Sequence, residues 1–196
     1  MAETIDYYNT HAQAFFDSTK DIAFTEIQDR FLSKLLPGAL ILDFGCGSGR
    51  DTKYFLEHGF DVEAVDGSEE MCRLASACTG ITVRHMYFDQ LKEKDKYDGI
   101  WACSSILHLD VESLTGVLKK MAAAVKPQGI IYTSFKYGSF SGMRNGRFFT
   151  DLTEKTAEDI SGKVESLAVE EEWITSDVRP GRSEEKWLNI ILRRIR

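Results

Sequence analysis

Three glycines alternate with other residues behind an aspartate in the stretch ILDFGCGSGRDTKYF, which runs from Ile41 to Phe55. The pattern consists of Asp43, Gly45, Gly47 and Gly49. Glycines at this spacing give a tight turn with a bare backbone that a ligand can approach closely. The stretch therefore predicts a ligand site, and the kind of ligand has to be argued from the neighbouring residues.

Two phosphate-binding motifs do not fit the spacing of these glycines. A P-loop requires G-x-x-x-x-G-K-[ST], but Gly45 is followed four residues later by Gly49. A dinucleotide fingerprint requires G-x-G-x-x-G, and its third glycine would fall at position 50, which is arginine. Asp43 adds a carboxylate that would repel a pyrophosphate. The stretch favours a ligand with a cationic part, and S-adenosylmethionine has an ammonium and a sulfonium.

The elements that would position this site alternate between strands and helices. Continuous apolar runs are typical of parallel strands buried on both faces, and amphipathic runs between them are typical of helices. A helix is expected from Arg50 to about His58, and Ser68 and Asp110 are expected to cap two later helices. Thr25 and Gln28 predict a capping box near the N-terminus. The predicted strands are ALILDF, FDVEAVD, ITVRHMYF, YDGIWACSS, IIYTSF and an antiparallel pair, VESLAVEEEWITSD and EKWLNIILRRI.

Composition limits the classes of partner. The chain has 196 residues and a formal net charge of −7, which argues against a nucleic-acid backbone as the main partner. No apolar run is long enough for a membrane span. The four cysteines form no C-x-x-C pair, so a reducing cytoplasm is expected. The sequence predicts one domain, a small-molecule substrate, no metal site, and neither nucleic acid nor membrane as partner; it leaves the oligomeric state open.

Several motifs together resemble those of the class I S-adenosylmethionine-dependent methyltransferases. ILDFGCGSGRDTKYF is similar to motif I, YDGIWACSSILHL to motif IV, and VKPQGIIYTSF to the turn and strand that follow it. The resemblance covers roughly Tyr7 to Arg193. YYNTHAQAFF and SDVRPGRSEEKWLNI also resemble a bacterial subgroup related to tellurite-resistance methyltransferases.

The resemblance implies an α/β fold, a doubly wound and mostly parallel seven-stranded sheet with an antiparallel C-terminal hairpin. Residues 1–196 would form a single methyltransferase domain, with an N-terminal helical lid over 1–37 and the α/β core over 38–196. The cofactor would be S-adenosylmethionine. Asp66 would bind the ribose hydroxyls and Asp89 the adenine amino group. The full set of predicted cofactor-binding residues is Tyr8, Arg30, Asp43, Gly45, Gly47, Gly49, Asp66, Gly67, Met71, Asp89 and Cys103.

Each of these residues also has a purely structural interpretation. Met71 and Cys103 could be packing residues, Tyr8 could dock a helix onto the core, and Arg30 could pair with a surface acid. His108 is the best candidate for a catalytic base, since its ordinary pKa lies near neutrality. An arginine cluster in the late loops would suit an anionic acceptor, although solvated loop residues are the default interpretation. The residues concerned, with a lysine and a tyrosine beside them, are Lys136, Tyr137, Arg144, Arg147 and Arg179.

Two other functions stay open at this stage. A non-catalytic S-adenosylmethionine-binding sensor or partner subunit would keep the same motifs, because no acid–base pair is evident beyond His108. A nicotinamide-dependent oxidoreductase is disfavoured by the arginine at position 50. The acceptor atom is beyond the sequence, since oxygen, nitrogen, sulfur, carbon and metalloid acceptors share one fold.

Overall fold

A computed structural model of the chain describes residues 2–179 and 181–196. The helices are α1 (Ala2–Thr10), α2 (Ala12–Thr19), α3 (Thr25–Leu32), α4 (Arg50–Glu57), α5 (Glu69–Thr79), α6 (Val111–Ala124) and α7 (Glu154–Ser161). The strands are β1 (Leu40–Phe44), β2 (Asp61–Asp66), β3 (Val83–His85), β4 (Tyr97–Ala102), β5 (Val125–Lys136), β6 (Ser141–Arg144), β7 (Arg147–Thr150), β8 (Leu167–Ser176) and β9 (Lys186–Arg194). No helix within the described residues is long and apolar enough to cross a membrane.

Seven strands form one sheet in the order β3-β2-β1-β4-β5-β9-β8. The five strands from β3 to β5 are parallel, whereas β9 runs antiparallel to both β5 and β8. The sheet is therefore doubly wound and mostly parallel, with an antiparallel hairpin at the C-terminus. The fold predicted from the sequence is confirmed.

The strand order reverses direction between β1 and β4, which are hydrogen-bonded neighbours. Both strands read as apolar runs because helices cover the two faces of the sheet, so Leu42 and Ile100 are buried on one face while Ile41 and Trp101 are buried on the other. In open α/β sheets, ligands bind outside the carboxyl ends of the strands at such a reversal. The topology alone thus selects the edge at which to look for a site.

Local capping explains two of the helix starts. The hydroxyl oxygen of Ser68 accepts a hydrogen bond from the backbone N–H of Met71 (3.2 Å), and the Asp110 carboxylate accepts one from Ser113 (2.9 Å). Both predicted caps are confirmed. The capping box predicted for Thr25 and Gln28 is wrong: α3 begins at Thr25 without a side-chain cap, because the Gln28 amide donates to Asp51 instead (2.7 Å).

A second, two-stranded sheet lies in a segment for which only a loop was predicted. Strands β6 and β7 pair antiparallel, with Arg144 opposite Arg147. The two residues that join them, Asn145 and Gly146, have φ of 51° and 77°. Positive φ at both positions is the signature of a type I′ hairpin, which Asn-Gly favours. The Asn-Gly pair was a visible signal for this hairpin.

Candidate functional site

One large cavity opens at the carboxyl ends of the parallel strands. Its volume is about 210 Å³, against about 10 Å³ for a second cavity in the described part of the chain. The cavity is lined by the turn after β1, the ends of β2, β4 and β5, and the β6–β7 hairpin. Helix α1, together with the segment from Phe15 to Phe24, supplies further lining. The helices of the segment predicted as a lid thus contribute directly to the site, although a lid motion stays a prediction.

The glycine turn is held by β2 and shaped by left-handed backbone. The N–H groups of Gly45 and Cys46 both donate to the carbonyl oxygen of Val65, at 2.9 and 3.0 Å. Gly45 has φ of 87°, and a Cβ there would lie 2.5 Å from the Cβ of Ser105. Glycine is therefore required at position 45 for both conformation and space. Gly45 and Gly47 line the cavity.

Asp66, at the end of β2, faces the cavity beside the glycine turn. Its carboxylate accepts hydrogen bonds from the backbone N–H groups of Gly47 and Ser68, each at 2.9 Å. Burial raises the pKa of this carboxyl, while the N–H groups of Ser68 and Gly47 act in the opposite direction. No Lys or Arg of the described residues forms an ion pair with it. The site therefore presents an acid that is held by backbone rather than by a cation.

Seven of the predicted cofactor-binding residues line the cavity, and so does the predicted base. They are Tyr8, Gly45, Gly47, Asp66, Gly67, Met71, Cys103 and, as the base, His108. Their common location supports the sequence motifs as parts of one site. Actual contact with a cofactor stays a prediction for each of them.

Asp43 does not line the cavity, contrary to the prediction. It is 2% exposed, and its carboxylate accepts a hydrogen bond from the Thr52 hydroxyl of α4 (2.5 Å). Burial raises the pKa of Asp43, and the neighbouring Asp51 raises it further. The carboxylate thus joins β1 to α4 beneath the turn, and its expected role toward a cationic ligand stays a prediction.

Three other predicted residues also lie away from the cavity. Gly49 packs against α5, where a Cβ would lie 2.7 Å from a methyl group of Thr79. Asp89 is exposed in a 3₁₀ turn, and its neighbours Tyr87 and Phe88 are the lining residues. Arg30 pairs with Glu171 (2.8 Å) and stacks on Trp173 on the outer side of the sheet. Arg30 is therefore a surface residue with a carboxylate partner, and its role as a cofactor ligand stays a prediction.

Asp51 is a cavity-lining residue that sequence reasoning missed. Its carboxylate accepts hydrogen bonds from Gln28 (2.7 Å), from Arg50 (2.7 and 2.9 Å) and from the indole of Trp101 (2.9 Å). The Arg50 guanidinium also lies 4.4 Å from the ring centroid of Phe24. The arginine that broke the dinucleotide pattern therefore neutralises a buried acid in the wall of the site. The four N–H donors come from three residues, Gln28, Arg50 and Trp101, and no spacing in the sequence indicates that they meet at Asp51.

Tyr8 and His108 form a hydrogen-bonded pair across the cavity. The Nδ1 atom of His108 lies 2.6 Å from the carbonyl oxygen of Phe148, so Nδ1 carries the hydrogen and Nε2 is an acceptor. The Tyr8 hydroxyl lies 2.9 Å from Nε2 and donates to it. Burial lowers the pKa of His108 to about 4 and raises the pKa of Tyr8. His108 is therefore a neutral ring with a fixed tautomer.

The end of β4 carries backbone strain at the cavity wall. Ser104 has φ of 52°, an uncommon conformation for a residue other than glycine, and its N–H donates to the hydroxyl of Ser134 (2.9 Å). Cys103 lies beside it, and burial raises the pKa of its thiol to about 12. The thiol is a packing group rather than a nucleophile, and strain of this kind is frequent at ligand sites.

Of the cationic residues predicted near an acceptor, some reach the cavity and some do not. Lys136, Arg147 and Arg179 line it, together with Arg182. Arg144 pairs instead with Asp151 (2.7 Å), and the exposed Tyr137 donates to Glu154 (3.0 Å). The two arginines lie directly opposite each other across the hairpin, and they differ in that Arg144 has Asp151 as its partner whereas Arg147 lines the cavity.

Comparison with known proteins agrees with this arrangement. Residues 41–129 match the family model described as a methyltransferase domain. YqeM of Bacillus subtilis (strain 168), a protein named as a candidate methyltransferase, is 29% identical over 107 residues. That match covers 49% of this chain and 43% of YqeM, so this chain spans less than half of its relative.

Solved structures share the fold over the whole chain. The 1,6-didemethyltoxoflavin-N1-methyltransferase of Burkholderia thailandensis, which contains 1,6-didemethyltoxoflavin and S-adenosylhomocysteine, has a TM-score of 0.82 at 22% identity, covering 100% of this chain and 88% of that one. The magnesium protoporphyrin IX methyltransferase of Synechocystis PCC 6803 with bound S-adenosylmethionine has a TM-score of 0.75 at 18% identity, covering 99% and 97%. The matched segment is thus that of a methyltransferase domain, and the fold of the chain is shared with these two methyltransferase structures.

Proposed function

We propose that this protein transfers a methyl group from S-adenosylmethionine to a small-molecule acceptor. The observation that carries the proposal is the meeting of the glycine turn and the Asp66 carboxylate at the wall of the large cavity. The methyltransferase-domain match covers both features, since it includes residues 41–129. We refer below to the part of the cavity formed by Gly45, Gly47, Asp66, Gly67 and Met71 as the glycine half.

The glycine half fits S-adenosylmethionine in its chemistry. Asp66 offers carboxylate oxygens that can accept from ribose hydroxyls, and it adds negative charge where a phosphate would be repelled. The side chains of Met71, Tyr87 and Phe88 supply apolar surface of the kind that suits an adenine ring. The open backbone at Gly47, where a Cβ would meet only Phe15 at 3.5 Å, lets a ligand approach closely.

The protein's own contribution to such a reaction is alignment, exclusion of water and removal of a proton. S-adenosylmethionine supplies an electrophilic methyl group on a sulfonium, so the cavity can act by holding two reactants in line. We propose that Nε2 of His108 takes up the acceptor's proton by way of the Tyr8 hydroxyl, which already donates to it. Tyr8→Phe should then lower kcat about as much as His108→Gln, with the affinity for S-adenosylhomocysteine preserved. A large loss in His108→Gln alone would leave Tyr8 out of the proton path.

A small molecule is the acceptor that best suits the site. Helix α1 and the β6–β7 hairpin enclose the cavity, because the Phe148 N–H donates to the buried hydroxyl of Thr4 (3.0 Å). The net charge of −7 continues to disfavour nucleic acid. A cytoplasmic location and a relation to tellurite-resistance methyltransferases stay predictions.

Two measurements test the function. Calorimetry should show binding of S-adenosylmethionine and S-adenosylhomocysteine to the purified protein, and absence of binding to both would refute the proposal. Incubation with methyl-labelled S-adenosylmethionine and a metabolite extract should then move the label into a small product. Binding without any transfer would favour the sensor or partner-subunit alternative. Enhanced NAD(P)H fluorescence on addition of the protein would instead favour the oxidoreductase alternative.

A further inference from the structure

The part of the cavity opposite the glycine half is rich in cations. This hairpin half consists of lining residues from the end of β5, the β6–β7 hairpin and the segment between β8 and β9. Its charged members are Lys136, Arg147, Asp177, Arg179 and Arg182. Four cations and one carboxylate therefore line this half, in a protein whose formal net charge is −7.

Three of the four cations have carboxylate partners. Arg179 donates to Asp177 (2.9 Å), Lys136 donates to Glu185, and Arg182 lies 3.7 Å from Glu185. The fourth, Arg147, forms no ion pair with the described residues. Its Nη1 atom donates to the Tyr8 hydroxyl at 3.3 Å, and its Nε atom is buried without a hydrogen-bond partner.

Aromatic rings hold the Arg147 guanidinium in place. Its central carbon lies 4.5 Å from the ring centroid of Tyr7, 5.2 Å from that of Phe149 and 5.7 Å from that of Tyr8. Such rings orient a cation and stabilise it modestly, but they do not neutralise it. A guanidinium with a buried, unmatched N–H beside a cavity is therefore ready to accept an anion, for which its planar fork is suited.

Arg144 provides an internal comparison in the same hairpin. It pairs in register with Arg147 across the turn, yet it donates to Asp151 and lies outside the cavity. Two arginines in one hairpin thus differ in that one has a carboxylate within the protein and the other does not. The arginine without a carboxylate partner among the described residues, Arg147, is therefore the one at the cavity wall.

We propose that Arg147 binds the negatively charged group of the methyl acceptor, which is therefore a small, flat organic anion such as an aromatic carboxylate. This inference rests on the function proposed above, because it assigns the hairpin half to the acceptor. A flat body suits the ring of Phe149 in this half and the rings of Tyr8 and Trp187, which also line the cavity.

An anion at Arg147 would also act on the proposed base. Burial is the main cause of the low pKa of His108, and the Arg147 charge lowers that pKa further. An acceptor that neutralises Arg147 removes this second effect, so the pKa of His108 rises when the acceptor is bound. Nε2 would then be a stronger proton acceptor in the loaded site than in the free protein.

Benzoate and its neutral isostere benzamide are the probes that test the proposal. Their affinities for the S-adenosylhomocysteine complex can be measured by ligand-observed NMR. Benzoate should bind about tenfold more tightly than benzamide, because only benzoate can form a charged, bidentate pair. Arg147→Gln should lower benzoate affinity by about tenfold and leave benzamide unchanged, and Arg147→Lys should recover part of the loss. Arg144→Gln, whose amide can still donate to Asp151, is the matched control and should keep the preference for benzoate.

Two results would overturn the proposal. Equal affinity of the wild type for benzoate and benzamide would show that the hairpin half does not select an anion. A loss of S-adenosylhomocysteine affinity in Arg147→Gln as large as the loss of benzoate affinity would assign Arg147 to the cofactor's carboxylate. Failure of the wild type to bind S-adenosylhomocysteine would instead refute the proposed function, and the benzoate measurement on the protein without it still reports on Arg147.

Discussion

The two halves of the cavity each hold a charge without a side-chain counterion, and they are built in different ways. Asp66 in the glycine half is held by backbone N–H groups, one from Ser68 two positions later and one from Gly47 in the turn after the neighbouring strand β1. Arg147 in the hairpin half is held by the rings of Tyr7, Tyr8 and Phe149, two of which come from helix α1. The position of the acid is thus set by backbone hydrogen bonds, and the position of the cation is set by the packing of side-chain rings. The two halves should therefore respond to different kinds of substitution.

The largest loss of stability is expected from the substitution Gly45→Ala in the glycine half. The new Cβ would lie 2.5 Å from the Cβ of Ser105, at a backbone φ of 87°. Overpacking and left-handed strain together should lower the free energy of unfolding by about 4 kcal/mol. Urea denaturation measures this loss, and calorimetry should show weaker binding of S-adenosylhomocysteine.

Gly59→Ala is the matched control for that substitution. Gly59 has φ of 79°, and a Cβ there would have no atom within 4 Å. Only the conformational cost of about 1 kcal/mol should remain. Equal destabilisation by the two substitutions would show that the contact with Ser105 is unimportant for the turn.

The next largest effect is the pH dependence of stability that arises from His108, whose ring donates to the Phe148 carbonyl oxygen of the β6–β7 hairpin. Burial lowers the pKa of this ring from 6.5 to about 4, so the unfolded chain binds a proton in that range while the folded protein does not. The free energy of unfolding should therefore fall as the pH drops from about 6.5 to 4, by on the order of 2–3 kcal/mol for this group. His108→Gln should flatten this decline in urea titrations across the pH range. Parallel pH profiles for the two proteins would contradict the assignment.

A smaller effect separates Asp66 of the glycine half from Asp43, which lies beneath the glycine turn. Asp66→Ala should weaken S-adenosylhomocysteine binding by more than about tenfold, since it removes the carboxylate that faces the cavity. Asp66→Asn, which keeps one acceptor oxygen for the turn, should show an intermediate loss. Asp43→Asn preserves an acceptor for Thr52 and should change the affinity by less than about threefold. A loss in Asp43→Asn comparable to that in Asp66→Ala would restore Asp43 to the binding site.

The smallest change in stability is expected at Arg30, which lies outside both halves of the cavity. Its side chain is 42% exposed in the ion pair with Glu171. Arg30→Ala should lower the free energy of unfolding by less than about 1 kcal/mol, as surface ion pairs usually do. Affinity for S-adenosylhomocysteine should stay at the wild-type value. Weaker binding in this variant would show that Arg30 reaches the cofactor after all.

The elements of the glycine half could be predicted because their signals are local. Apolar runs identified β1 and β4, Ser68 and Asp110 marked helix starts, and the alternating glycines marked the turn. Each of these features acts over a few residues, through backbone conformation or capping. The antiparallel pair at the C-terminus was also visible, since its two strands are long and joined by a polar loop.

The positions of several side chains could not be predicted from the sequence and are known only from the tertiary structure. Asp43 and Asp66 both lie at or next to the end of a strand and look alike in the sequence, yet Asp43 is buried against Thr52 and Asp66 faces the cavity. Arg144 and Arg147 are three residues apart and lie opposite each other across the Asn-Gly turn, yet Arg147 lines the cavity while Arg144 pairs with Asp151. Gln28, Arg50 and Trp101 meet at Asp51 from separate segments.

The sequence by itself determined the fold class and the identity of the glycine turn, because both depend on periodicity and on the conformational freedom of glycine. Only the tertiary structure decided which charges remain unmatched in the cavity. Charge matching depends on which side chains lie within a few ångströms of each other, and Tyr8 and Arg147 reach that distance across 139 positions of the chain. The glycine turn therefore indicates the cofactor, and the hairpin indicates the kind of acceptor.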